Sequence, residues 1–455
     1  MKKIFLILCI SAPLISEEIK TVEAVFNENN HNQIFLDIEA ALARAQASQG
    51  IIPEWAAKEI TNKANTRYMT VKDVADENAI VRHSVVARLN VWRRSIEDGA
   101  DEFVHFGTTT VDINDTLLVL QIKQSIELFI EDMLTIEKYL LKLTKDNINT
   151  VMTGRTLGQH ALPITFGKKT STWLAENRRN IERLEHVRSK IDKSGILKGA
   201  VGSYLGLGKQ AMETETLMMK ELGLSQPYFD DWHGTRDVFA EYALTLALIS
   251  KSYGRIGNEL TLLQMTDIAE TQEVLGSGAV GSSTMPHKKN PRGPGQLIEY
   301  SRIIPRLSEI ILDDMINDFE RDGQKSDDEI KLISITMEEM LNRAKPIIRE
   351  LKVNKDVMKA NLKRTQGLML SQRIVFALAD DVGKSSANDL MHEVAVMALN
   401  NHISLKEAIM NDERVMQYFS EKELDELLNP ETYIGLAEEQ TQKIIKDIER
   451  KRKAT

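Results

Sequence analysis

A chain of 455 residues with net charge -9 and one cysteine, Cys9, is too long for a single small core and lacks the basic balance that a nucleic-acid partner requires. The lone cysteine excludes an internal disulfide and a cysteine-based metal cluster. Hydrophobic residues at 42%, charged residues at 27% and aromatics at only 5% describe a soluble globular protein rich in helix-forming side chains.

In chain order, Met1-Lys2-Lys3, the apolar residues 4–10 and Ser11-Ala12 have the layout of a short signal peptide, and the run is too short to span a bilayer. Ile34, Ile38, Leu42 and Ala45 recur at helical spacing until Ile52-Pro53 breaks the pattern. A second helix is expected near Pro53, and another through Val81, Val85, Val86, Leu89 and Trp92. From Asp115 the period is long and clean, through Leu118, Ile122, Ile126, Phe129, Met133, Ile136 and Leu140. Further helices are expected after Pro163 through Trp173 towards Ile191, and from about Asp237 through Leu244, Leu248 and Leu260 to Ile268. Leu297, Tyr300, Ile304, Leu307, Ile311 and Met315 continue the theme on one face. Helices this long with one apolar stripe must bury it against other helices, so the fold class is all-α. No strand-like alternation of comparable length appears. Later segments are shorter, broken at Gly367, Gly383, Asn400 and Asn429-Pro430, and Lys451-Arg452-Lys453 reads as a solvated basic end. Three helical domains are expected: an N-terminal one over 1–105, a central long-helix bundle over 106–355, and a small one over 356–455.

The densest chemistry lies in Gly281-Ser282-Ser283-Thr284-Met285-Pro286-His287-Lys288-Lys289-Asn290-Pro291. Glycines precede it, and Pro286 and Pro291 fix φ and discourage helix in the residues before them, so it reads as a loop. His105-Phe106-Gly107-Thr108-Thr109-Thr110-Val111-Asp112 opens a helix with hydroxyls and N–H groups, which suits either a carboxylate site or a plain N-cap. Arg236, in Trp232-His233-Gly234-Thr235-Arg236-Asp237, suits an anionic substrate or a structural pair with Asp237. No metal-ligand cluster or phosphate-cradling glycine loop competes with these elements.

The 281–291 string closely resembles the signature loop of the fumarase/aspartase superfamily, in the form used by adenylosuccinate lyases and carboxymuconate cycloisomerases. The 105–112 stretch is similar to the superfamily's His-x-Gly-x-Thr-Ser-x-Asp element, with Thr110 in place of serine. Gly154-Arg155-Thr156-Leu157-Gly158-Gln159 resembles its Gly-Arg-Thr-His-Gly-Gln element. Leu157 stands where fumarate-releasing members carry a histidine involved in delivering a proton to the leaving group; cycloisomerases also lack it. His83 in Arg82-His83-Ser84-Val85-Val86 resembles an adenylosuccinate lyase element with Ser84 replacing Asp, and the 232–237 stretch is closest to the cycloisomerases. Glu320-Arg321-Asp322 resembles the family's Glu-Arg-Asp segment. Adenylosuccinate lyases follow it with a serine and an arginine for a nucleotide phosphate, and here Asp327 and Ile330 fall at those places. The resemblance runs from about residue 11 to the 429–435 region.

It implies an all-α homotetramer with a core of long helices, each active site being built from three subunits. The substrate is a small-molecule polycarboxylate, with no cofactor, no metal, no nucleic acid and no membrane. The implied reaction is β-elimination, or its reverse addition, on a succinyl-type group. Ser282 is the implied base, and Lys288 and Asn290 orient and stabilise the carboxylate. Thr109 and Thr110 bind the substrate, with His105, Gln159, Arg236, Ser283, Met285 and Arg321. His160 and His83 join the catalytic set or serve structural roles. Carboxymuconate-like lactone chemistry leads; the alternatives are adenylosuccinate lyase-like C–N cleavage releasing fumarate, and a non-catalytic scaffold like the eye-lens crystallins of the superfamily. Because the resemblance begins almost at the N-terminus, cytoplasmic residence is expected, with export left open by the signal-like start.

Overall fold

The computed structural model describes residues 19–276, 278, 280–321 and 325–453, so Cys9 and the signal-like start lie outside the described residues. Five long helices dominate: Thr110–Lys145, Phe166–Ile191, Asp237–Leu263, Arg292–Asp313 and Asp327–Glu350. The chain forms two compact units, and the boundaries between them fall inside these helices. The first unit comprises the segment ending at Ile130, Leu184–Leu246 and Arg306–Glu338; the second comprises Glu131–Arg183, Ala247–Pro305 and everything from Glu339. No helix among the described residues is long and apolar enough to cross a membrane.

The periodicity from Asp115 is realised in Thr110–Lys145, whose Leu118, Ile122, Ile126, Phe129, Met133, Ile136 and Leu140 are all buried. A stripe repeating every three to four residues faces one direction on a 3.6-residue helix, and its removal from water is the main driving term. Within the second unit, a Cβ on Gly257 of Asp237–Leu263 would meet the Pro294 carbonyl at 2.6 Å and Leu297 Cβ at 2.8 Å. Glycine is therefore required there for the close approach to helix Arg292–Asp313. The C-terminal segments bury Ile374, Leu378, Met391, Val394, Leu405 and Ile409 in a core of their own.

Several elements differ from the sequence expectation. The helix placed through Val81 to Trp92 is two helices, Val71–Val81 and Ser84–Arg93. Arg82 in the left-handed region (φ 53°) separates them, and the Val86 N–H donates to the His83 imidazole Nδ1 at 3.4 Å. The helix from Asp237 stops at Leu263 rather than Ile268, and Leu244 and Leu248, expected on a buried stripe, are about half exposed. Asn400 does not break a helix: Lys384–Asn401 runs through it and ends where His402 turns left-handed (φ 54°). Residues 151–165 form an antiparallel hairpin, Val151–Thr156 with Gln159–Thr165, which short-range alternation was too brief to reveal.

The basic end is not simply solvated. Arg452 Nη1 lies 2.7 Å from a carboxylate oxygen of Glu137, and Lys451 Nζ lies 2.7 Å from Glu182. Glu137 is fully buried and also takes both prongs of the buried Arg178 guanidinium. Removing the carboxylate leaves a desolvated arginine uncompensated, which costs about 3–5 kcal/mol. Glu137→Ala is therefore expected to lower Tm far more than Glu182→Ala, whose partner is a surface lysine. Calorimetry on the two variants checks this; equal shifts would refute the argument.

Candidate active site

The expected site residues divide between the two units. His83, His105, Thr109, Thr110, Arg236 and Arg321 belong to the first, and Gln159, His160, Ser282, Ser283, Met285, Lys288 and Asn290 to the second.

In the first unit the centre is Asp112, in the first turn of Thr110–Lys145 and fully buried. Its carboxylate accepts hydrogen bonds from the Thr109 N–H at 3.2 Å, the Lys198 N–H at 2.9 Å and the Gly199 N–H at 3.0 Å. Arg321 Nη2 lies 4.0 Å away. Burial pushes the carboxyl above its ordinary range, against the lowering effect of those N–H groups and of Arg321. The Thr109 N–H bond to Asp112 satisfies one donor at the helix start, a first-turn carboxylate reaching back rather than a threonine side chain capping the helix. The Thr109 and Thr110 hydroxyls form no hydrogen bond among the described residues and are half-exposed, which leaves them for a ligand. Arg321 donates from Nη2 to Asp231 at 3.2 Å, while its buried Nε and Nη1 have no partner among the described residues. These two donors point to different sides of the guanidinium, so each is open to a separate acceptor.

Sequence reasoning missed the segment that Asp112 holds. Lys198-Gly199-Ala200-Val201-Gly202-Ser203-Tyr204-Leu205-Gly206 carries φ of 75° at Gly199, 74° at Gly202, 62° at Tyr204 and 89° at Gly206. Lys198 Nζ is buried against Glu215 (3.0 Å) and the Tyr204 hydroxyl (2.7 Å). The signal available in the sequence was the glycine spacing at 199, 202 and 206, of the kind that marks a close backbone approach.

Arg236 is placed inside the protein, itself at a left-handed φ of 48°. It faces Asp115 at 3.6 Å, Asp327 at 3.7 Å and Asp314 at 3.8 Å, and its ring partner is Phe239. The structural pair with Asp237 does not form; Asp237 accepts from the Thr235 hydroxyl at 2.8 Å instead. Asp115 also binds His233 Nδ1, with Lys325 Nζ at 3.5 Å. Burial would raise the Asp115 carboxyl, but the His233 bond, Lys325 and Arg236 together hold it well below the usual carboxylate range. His105 Nδ1 sits 2.6 Å from the buried Glu39, and His83 caps its helix. In the acidic segment, Ser326 donates its N–H and hydroxyl to Asp314, both at 2.9 Å, and Ile330 is fully buried. Asp322, Gly323 and Gln324 lie outside the described residues.

In the second unit, Leu157 and Gly158 are the two tip residues of the hairpin, between the paired Thr156 and Gln159. Both have positive φ, 51° and 79°, and the Leu157 side chain is wholly exposed. A two-residue turn of this kind favours Asn, Asp or Gly at its first position, so leucine is strained and solvated there at once. Gln159 is exposed beside it, while the His160 ring points to a cavity with Arg364. Arg155 grips the buried Glu270 with two bonds, 2.9 and 2.7 Å, and Asn361 donates to the same carboxylate at 2.8 Å.

The 281–291 loop is closed by its own groups. The Asn290 amide donates to the Gly281 carbonyl at 3.0 Å, so Asn290 holds the loop together. The Met285 N–H donates to Ser282 Oγ at 3.2 Å, which favours developing negative charge on that oxygen. Gln264 donates to the Lys289 carbonyl at 3.0 Å, and Glu273 accepts from the Gly293 N–H at 3.1 Å. Ser283, Met285 and Lys288 are exposed, and the Lys288 ammonium has no partner among the described residues. No cluster of His, Cys, Asp and Glu able to hold a metal occurs among the described residues.

The family model described as "Lyase" matches residues 15–304, and that described as "Adenylosuccinate lyase C-terminus" matches 367–444. The chain is 36% identical to an adenylosuccinate lyase of Methanocaldococcus jannaschii, over 94% of each protein. It is 34% identical to an N-acetyl-S-(2-succino)cysteine lyase of Dickeya dadantii, over 93% of this chain and 94% of that one. A crystal structure of 3-carboxy-cis,cis-muconate lactonizing enzyme from Pseudomonas putida superposes with a TM-score of 0.87 at 30% identity, covering 94% of this chain and 97% of that one.

A Cβ at Gly281 would lie 2.4 Å from the Lys288 carbonyl oxygen, so an added methyl must prise the loop open and strain the Asn290 bond. Gly281→Ala is expected to cut turnover at least tenfold while leaving helical circular dichroism unchanged. Full turnover in that variant would show that the closed loop is not required.

Proposed function

The chain belongs to the fumarase/aspartase superfamily of lyases, and from that premise we propose that it catalyses β-elimination, or the reverse addition, on a succinyl-type polycarboxylate whose leaving group departs as a stable anion. Carboxymuconate-like lactone chemistry is the first reading. The observation that carries it is Leu157, a side chain without a proton to give, held out at a strained hairpin tip. A neutral amine leaves only if protonated, whereas a carboxylate or a thiolate leaves unaided.

Removal of a proton from carbon next to a carboxylate builds an aci-carboxylate with extra negative charge. Ser282 is the base, its oxygen favoured as an anion by the Met285 N–H and by the Lys288 ammonium. Arg321 and the Thr109 and Thr110 hydroxyls hold the substrate carboxylates. These groups come from different subunits of a homotetramer, closure of the 281–291 loop bringing Ser282 in. The half-exposed Leu244, Leu248, Ile303 and Ile310 on the long helices supply the apolar surface such an assembly buries.

A second reading is elimination of a thiolate from a succinyl thioether. It is favoured by the relative named N-acetyl-S-(2-succino)cysteine lyase together with Leu157, since a thiolate of pKa near 8.5 needs little acid assistance. Adenylosuccinate is the less favoured substrate, although a relative is named for it. The Ser326 donors are already taken by Asp314, and Asp327, Asp328 and Glu329 open the next helix, so a phosphate dianion meets acids there.

Assaying a carboxymuconate lactone, S-(2-succino)cysteine derivatives and adenylosuccinate side by side decides among these readings. A kcat/KM above about 10⁴ M⁻¹s⁻¹ on adenylosuccinate would overturn the preference for anionic leaving groups. On the substrate that turns over, Ser282→Ala is expected to lose about 10²–10⁴-fold in kcat, the usual worth of a general base, with the helical fold intact. Retention of more than about a tenth of the rate would show that another group takes the proton. Leu157→His is expected to leave turnover of that substrate unchanged or lower. A severalfold gain would mean that the leaving group does need a proton.

A further inference from the structure

The second unit contains a cavity of about 720 Å³ lined by the hairpin strand around His160, by residues 364–372 and by the end of helix Lys384–Asn401. Its volume is that of a small-molecule pocket. In a chain with 67 acidic residues, no Asp or Glu among the described residues lines it. Its polar lining includes Arg364, His160 and His402, and its apolar lining includes Leu162, Met369 and Leu399, with Arg364, His402 and Leu399 at the solvent-exposed rim. The Arg364 guanidinium has no acidic partner among the described residues. The Nδ1 of His160 is shielded from solvent and has no hydrogen-bond partner among the described residues, a state that native interiors rarely leave uncompensated. Burial first, then Arg155 and Arg364, hold that imidazole below its ordinary range, so it is neutral at pH 7 and can donate one N–H. The helix carbonyls facing the same space are capped, Ala398 by the Ile403 N–H at 3.1 Å and Leu399 by the His402 N–H at 3.3 Å. They therefore present no bare acceptors to an incoming anion.

We propose that this cavity is a ligand site distinct from the elimination site, taking a small organic monocarboxylate with an apolar body. The carboxylate lies on Arg364, with hydrogen bonds from the imidazoles, and the body packs on Leu162, Met369 and Leu399. One guanidinium and the neutral His160 imidazole match a single negative charge. A phosphate dianion would call for a second cation and a less apolar wall. Because His160 shares the hairpin with Leu157 and Gln159, an occupied cavity stiffens the strand that carries them.

The test uses the full-length protein, methyl-labelled at methionine, titrated with hexanoate as probe while the Met369 resonance is followed. A saturable shift is expected, weakened at least tenfold by Arg364→Gln and abolished by Leu399→Trp, which fills the space. Hexan-1-ol, the same body without the charge, is expected to bind at least tenfold more weakly than hexanoate. Ser282→Ala is expected to bind hexanoate as the wild type does. The proposal is overturned if no saturable shift appears, if hexanol binds equally well, or if Arg364→Gln has no effect. Displacement of hexanoate by excess fumarate would equally overturn it, by making the cavity part of the substrate site.

Discussion

Asp112 accepts N–H groups from Thr109, Lys198 and Gly199, and this buried carboxylate joins a helix start to a glycine-rich segment that has no regular structure of its own. Irregular backbone inside a protein is tolerable only when its polar groups find partners, and a carboxylate with two oxygens can serve several donors at once. The same device recurs in the second unit. Glu270 receives Arg155 and Asn361 beneath the hairpin, and Glu273 receives the Gly293 N–H behind the 281–291 loop. Each of these segments is therefore held by a carboxylate that accepts several donors or a backbone N–H. Losing such an acid would free the backbone it organises, an effect larger than the worth of any single hydrogen bond.

Arginine follows two different rules in the first unit. Arg236 is ringed by Asp115, Asp314 and Asp327 and has its charge matched from within. Arg321 has one carboxylate at hydrogen-bond distance among the described residues, Asp231. Each keeps two buried N–H groups without a hydrogen-bond partner among the described residues, so the number of acids around the guanidinium, and not the donors left over, separates the two. Residue type alone does not separate the two.

The hairpin makes the complementary point for apolar groups. Leu157 occupies a backbone conformation that L-residues with bulky side chains avoid, at a tip where its side chain finds nothing of its own unit to rest on. Strain and exposure together are sensible where the side chain acts on something outside the hairpin. On the proposed reading the choice of leaving group lies at the tip, while Ser282 and the proposed carboxylate-binding groups supply the elimination chemistry. His160, next but one to the tip, belongs instead to a cavity of different character.

By itself the sequence determined the helical class, the long stripe from Leu118 to Leu140, the family and the loops that resemble the family's motifs. These are local properties, set by 3.6-residue periodicity and by glycine and proline at fixed places. Only the tertiary structure decided which polar groups meet. It assigned Arg236 to three acids distant in sequence, Arg452 to Glu137, and Asp112 to a segment more than eighty residues away. It also split the 81–92 helix at Arg82 and turned residues 151–165 into a hairpin. The physical reason is that burial and ion pairing depend on which side chains are brought together after the apolar stripes have packed, and a linear pattern carries no record of those distances.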